Sequence, residues 1–255
     1  MIPELSELLR SSVLQILEDR VSISFSGGID STLIATIAGK NAETELFSAG
    51  MNGSKDMEYA EQTASVLGLP LEKIFLDDND ILETYGKCYG LVPNNFLKVE
   101  LLIPVYKVAE LASEKGHEIM FFGTGAEELF VGYERYYSYT KEGRDLDAIL
   151  QDEFKTLEKR EMGWIKKVCR NFSIEARFPF YNRKLADFVF SVPVEKRMEN
   201  RELKKGILRE AATLLDVPQI AVKRRKQAMQ YGSGIHKVLL KHSDGLNEKY
   251  PYTAP

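Results

Sequence analysis

Cysteine is nearly absent: Cys88 and Cys169 are the only two in 255 residues, far apart and in no C-x-x-C pair. That spacing offers neither a zinc ribbon nor a thioredoxin-type site. Two buried or incidental thiols in a reducing compartment are expected instead. Long apolar runs are missing as well, and no segment approaches the length that crosses a membrane. The opening stretch "MIPELSELLRSSVLQILEDR" lacks the basic start of a signal peptide and spaces its apolar residues helically among Glu and Arg. Cytoplasm is therefore the expected location. A formal net charge of −4 gives no whole-protein pull toward nucleic acid or anionic membrane, although a local basic patch is compatible with it. No internal repeat or low-complexity linker occurs. What remains, 44% hydrophobic and 28% charged, has the composition of a globular enzyme with one large domain or two small ones.

Buried-type strands alternate with helical segments along the first half. A helix is expected from about Pro3 to Asp19, then a strand at Val21–Phe25. "STLIATIAGK" reads as a helix ending near Gly39, "ETELFSAG" as a second strand, and "KDMEYAEQTASVLGL" as a helix stopped by Gly68. "EKIFL" supplies a third strand, and after mostly helical sequence "EIMFFGTG" a fourth. This rhythm predicts an α/β fold, a parallel sheet with helices on both faces. From about Tyr136 the pattern turns helical, with one long stretch through "DLDAILQDEFKTLEKREMGWIKKVCRNF", a loop "EARFPFYN" and two more helices. We expect a single domain over 1–255, with an α/β part at 1–135 and a mostly helical part at 136–255. Parallel sheets bind ligands beyond the carboxyl ends of their strands, where the glycine-rich turns after Phe25 and Phe122 fall.

The first turn reads "SFSGGIDST". Gly27 and Gly28 let successive amides point inward at an anion, and the following helix adds its positive end. Ser26, Ser31 and Thr32 supply hydroxyls. Asp30 would repel a phosphate unless a Mg²⁺ bridges them. The bland alternative is a glycine turn with Asp30 as helix N-cap. The second turn, "FFGTGAEELFVGYERY", brings Glu127 and Glu128 to a helix start. There they either share the Mg²⁺ with Asp30 or merely suit the positive helix end. No G-x-x-x-x-G-K-[ST] occurs, so this is not a Walker loop. The first turn resembles the PP-loop of ATP pyrophosphatases, which cleave ATP between the α- and β-phosphates.

Taken together, the chain resembles the synthetase domain of asparagine synthetases and the related β-lactam synthetases. The likeness runs in order through "SGGIDS", "FFGTGAEELFVGY", "IEARFPFYN", "KKGILREAA" and "VKRRKQAMQYGSG". It implies a PP-loop-type nucleotide-binding sheet, ATP and Mg²⁺. It also implies adenylation of a carboxylate followed by attack of ammonia or an amine. By the same resemblance Ser26, Gly27, Gly28, Asp30 and Ser31 hold pyrophosphate, with Asp30 and Glu127 as metal ligands. Ala49, Phe122 and Gly123 meet adenine, and Lys226 neutralises charge developing on the phosphates. Arg224 and Arg225 stay open.

The chain departs from the family in several places. It reaches the PP-loop by Ser26, which leaves no room for the N-terminal glutaminase domain of the glutamine-dependent enzymes. Nitrogen is therefore expected as free ammonia, from a separate glutaminase subunit, or as an amine. Thr124 stands in for a glutamate beside the reacting groups; it can donate a hydrogen bond but cannot serve as a base near pH 7. Glu127 replaces aspartate, Val131 a glycine, and Asn182 an aspartate, all expected around the pocket. Thr124, Glu127 and Lys226 are the catalytic candidates. Glu175 and Arg177 match the family but receive no role from sequence. Besides the amide ligase, two readings stand: a PP-loop enzyme modifying tRNA or another macromolecule, and a nucleotide-binding regulatory subunit without catalysis.

Overall fold

The structure, a computed structural model, describes residues 1–225 and 232–251. Five strands, β1 (Arg20–Ser24), β2 (Glu43–Gly50), β3 (Leu71–Phe75), β4 (Ile119–Phe121) and β5 (Glu175–Arg177), form one sheet in the order β3-β2-β1-β4-β5. Every pairing is parallel. Val21, Ser22 and Ile23 of β1 are all fully buried, so exposure does not alternate and both faces are covered. The buried hydroxyl of Ser22 is satisfied by donating to the Ile119 carbonyl at 2.6 Å.

Helices α2 (Ile29–Ala38) and α3 (Lys55–Leu67) link β1 to β2 and β2 to β3. The return to β4 on the other side of β1 carries α4 (Asp78–Leu91), α5 (Phe96–Glu100) and α6 (Leu102–Glu114). Right-handed crossovers put the two groups on opposite faces. α2 is almost wholly buried, Asp30 alone being partly exposed. Gly68 ends α3 in the left-handed conformation, the stop its position suggested. Among the described residues no helix is long and apolar enough to cross a membrane. Cys88 and Cys169 are free and buried, and burial pushes the Cys169 thiol up to about 12.

The structure corrects several expectations. Helix α1 (Ile2–Leu14) stops short of Asp19, because the amides of Ile16 and Leu17 turn back to Val13 and Leu14. The segment read as a loop, "EARFPFYN", opens with the edge strand β5. After β4 come the short helices α7 (Ala126–Leu129) and α8 (Glu134–Lys141). The long helical stretch is two helices, α9 (Leu146–Thr156) and α10 (Glu161–Arg170), separated by a 3₁₀ turn and by Arg160 at φ −115°, ψ −115°. That break lets α10 lie against α6 and β5. Beyond β5 the described residues hold six short helices and not two: Arg183–Ser191, Val194–Arg197, Gly206–Leu214, Gln219–Val222, Ile235–Lys241 and Ser243–Lys249. Pro193 and Pro218 sit at N-caps, and left-handed residues at 200, 204, 205 and 216 interrupt the run.

Glu175 and Arg177 now have a physical account. Arg177 holds Glu175 bidentately at 2.9 and 3.1 Å and donates to the Ile16 carbonyl at 2.6 Å and to Glu18 at 3.0 Å. The pair therefore ties the edge strand to the end of α1, and its hydrogen bonds hold Glu175 below the usual carboxylate range. Arg177→Ala is expected to lower the urea unfolding free energy by about 1–3 kcal/mol, the scale of charged hydrogen bonds, without moving the cavity residues.

Candidate active site

β1 connects outward to β2, and its other neighbour β4 connects outward to β5. The chain thus diverges between β1 and β4, the point where an open α/β sheet leaves a crevice at its carboxyl edge. Both glycine-rich turns emerge there.

In the first turn Gly27 has φ +66°, and a Cβ on it would lie 2.6 Å from the Tyr59 carbonyl oxygen, so no side chain fits. Gly28, not Asp30, is the N-cap of α2, and no side chain caps it. The hydroxyls of Ser31 and Thr32 fold back on the Gly28 carbonyl at 3.3 and 2.7 Å. Asp30 sits in the first turn of α2 and points to an unexpected partner.

That partner is Lys205. Its ammonium contacts both Asp30 oxygens at 2.8 and 2.6 Å and Glu127 Oε1 at 2.9 Å, while the residue is 1% exposed. Burial lowers its pKa and the Asp30 carboxylate opposes that shift. Lys204 and Lys205 both have positive φ, 59° and 56°, which is strained for non-glycine residues. Arg209 holds that strained pair. Its guanidinium donates to the carbonyls of Leu203 (2.7 Å) and Lys204 (2.7 Å), and to those of Ala221, Val222 and Arg224. Gly132 makes the close approach possible, since a Cβ there would fall 2.5 Å from Lys205 Cε. Arg224, left open by sequence, pairs with buried Asp56, donates to the Ser26 carbonyl and lies 4.2 Å from the Tyr59 ring centroid.

A cavity of about 360 Å³ opens over this group. Ser26, Gly28, Asp30 and Ser31 line it from the first turn, and Phe122, Gly123, Thr124 and Glu127 from the second. Ala49 joins them from the end of β2. Gly27 lies behind the wall. Lys226 lies outside the described residues. Of the family departures, Val131 is fully buried with φ +53°, a conformation glycine takes without strain. Asn182 is not around the pocket: it is the N-cap of the Arg183–Ser191 helix, accepting from the Leu185 amide at 3.1 Å.

Sequence reasoning missed Lys205 and Arg209. A Lys-Lys-Gly run reads as solvated surface, and only the likeness of "KKGILREAA" to the family pointed there. It left Glu128 either a share in a Mg²⁺ or a place at a helix start. Glu128 lines the cavity at 3% exposure, and burial, with Glu161 and Glu153 nearby, pushes its carboxyl up to about 7.

Residues 4–167 and 164–249 match the family described as asparagine synthase. The chain belongs to that family. It is 30% identical to a putative glutamine-hydrolyzing asparagine synthetase 1 of Methanocaldococcus jannaschii, over 93% of this chain and 50% of the relative. It is 24% identical to asparagine synthetase B of Escherichia coli, over 91% of this chain and 45% of the relative. The chain therefore spans about half the length of the curated relatives it matches. Among solved structures, NMN synthetase from Francisella tularensis aligns with a TM-score of 0.44 at 12% identity, over 100% of this chain and 96% of that one.

The Glu128 environment makes stability pH-dependent. Its folded pKa of about 7 exceeds the ordinary 4.5, so the native state binds more protons between those values. Its contribution is full below pH 4.5 and is lost as pH rises through about 7. Urea midpoints measured across that window should fall with rising pH more steeply in the native protein than in Glu128→Gln.

Proposed function

We propose that the protein is an ATP-dependent, AMP- and pyrophosphate-forming amide ligase. The observation that carries this reading is Lys205, buried between Asp30 and Glu127 at the end of the glycine turn. An ammonium held there is preorganised for negative charge that develops on phosphates, where no reorganisation is then needed. Membership of the asparagine synthase family supports the same chemistry.

In this reading the backbone of Ser26–Gly28 and the start of α2 receive the β- and γ-phosphates, with the Ser26 and Ser31 hydroxyls alongside. Ala49, Phe122 and Gly123 meet the adenine. A substrate carboxylate oxygen attacks the α-phosphorus, and the bond to the β-phosphate oxygen breaks, releasing pyrophosphate. Lys205 stabilises the charge that collects on the leaving group. Ammonia or an amine then attacks the acyl carbon beside Thr124, AMP leaves with the bonding electrons, and the nitrogen gives up a proton. A separate glutaminase is one source of the ammonia.

Asp30 and Glu127 suit Mg²⁺, which takes one or two carboxylates from a protein and completes its octahedron with phosphate oxygens and water. Bound there, the ion would offset phosphate charge together with Lys205, which shares the same carboxylates.

Pyrophosphate and AMP release from Mg-ATP should appear with one acid from a carboxylate panel, run with and without ammonium. Asp30→Ala should abolish it. Lys205→Gln should lower kcat about 100-fold or more, the usual cost of one preorganised donor. Unchanged turnover in Lys205→Gln, or release with no acid at all from the panel, would overturn the reading.

A further inference from the structure

The sheet is open at both edges, and the two edges are built differently. β5, three residues long, is tied to the end of α1 through Arg177. β3 stands at the other end of the strand order, with no strand beyond it among the described residues. Its pairing with β2 fixes which way each backbone group points. Leu46 donates to the Pro70 carbonyl at 2.9 Å, and Leu76 donates to the Gly50 carbonyl at 3.0 Å. In the register Leu46↔Leu71 to Gly50↔Phe75, residues 70, 72, 74 and 76 therefore bond to β2. The N–H and C=O groups of Leu71, Lys73 and Phe75 face outward. None of these outward groups has a hydrogen-bond partner among the described residues.

Exposed edges are ordinarily guarded by a proline, a bulge or an outward charge. The five residues of β3, "LEKIF", hold no proline or glycine and pair with β2 without a bulge. The lysine among them is drawn onto α3, where Lys73 Nζ meets Glu61 at 2.5 Å. Phe75 shares the face of Leu71 and Lys73 and is 49% exposed. Such an edge accepts another strand, and a second copy of β3 complements it. A two-fold axis through Lys73 runs the copy antiparallel, with Leu71 opposite Phe75 of the second copy and Lys73 opposite itself. Every outward N–H then meets an outward C=O, and nothing beyond the strand ends is needed. Leu71 and Phe75 form an apolar cross-strand pair twice over. The two Lys73 ammoniums face like charge, but each brings its own Glu61 carboxylate to offset it. We propose that β3 is a self-association edge, through which two copies form a two-fold dimer with one continuous sheet. The two crevices then open at opposite borders of the joined sheet, and each copy keeps its own cavity. The dimer does not depend on the ligase reading.

Light scattering over a dilution series should give twice the mass of the chain at high concentration and the single mass on dilution. In the dimer the Lys73 and Phe75 amides should exchange with deuterium about tenfold or more slowly than in the diluted protein. Lys73→Pro removes an outward N–H and leaves the β2 ladder whole, so it should keep native circular dichroism yet stay monomeric. Lys73→Cys tests the register without a proline. Residues in such a pair lie about 5.5 Å apart at Cα, within disulfide reach. Oxidation with diamide should join two chains through Lys73→Cys in preference to Ile74→Cys. Cys88 and Cys169 are buried and do not compete. A protein that stays monomeric throughout, with those amides unprotected, overturns self-pairing and leaves the edge to a strand of another protein. A dimer that persists in Lys73→Pro and fails to cross-link through Lys73→Cys overturns it as well.

Discussion

A lysine ammonium cannot be buried without carboxylates around it, and Lys205 is 1% exposed. Much of the site follows from that constraint. Asp30 must come from the first turn of α2 and Glu127 from the start of the helix after β4, so β1 and β4 must be neighbours. The chain at 204–205 must take two left-handed residues to aim the side chain inward, and Arg209 must gather the carbonyls that this strained backbone presents. Gly132 must lack a side chain. Each requirement is met by a residue that looks unremarkable alone.

The same guanidinium connects the two basic segments of the site. Through the carbonyls of Ala221, Val222 and Arg224 it also fixes the turn from which Arg224 reaches the Ser26 carbonyl. The loop at the end of β1 is therefore braced from behind by Arg224 and faced from the front by Lys205.

The departures from the family pattern separate once the structure is seen. Thr124 and Glu127 line the cavity. Val131 occupies a left-handed position buried beside Gly132, so its effect is backbone strain next to Glu127. Asn182 caps a helix, a task asparagine and aspartate perform equally well. One list of substitutions thus holds three different physical effects.

Local chemistry made much of the protein legible in its sequence. Alternating buried strands and helices, Gly68 as a stop, and two glycines after Phe25 are all written in residue type and spacing, because backbone conformation and burial period depend on near neighbours. The parallel sheet followed from that, whereas Ala49, Phe122 and Gly123 were placed in the crevice only by the likeness to the family. The strand at Glu175–Arg177 was not legible, since its three residues form a strand only by pairing with β4. Nor was Lys205, whose carboxylate partners lie 175 and 78 residues away in the chain. Sequence by itself determined the alternation of strands and helices in the first half and where the glycine turn at the crevice falls. Tertiary structure alone decided which charged side chains are taken out of water, because burial is set by what packs around a residue and not by its neighbours in the chain.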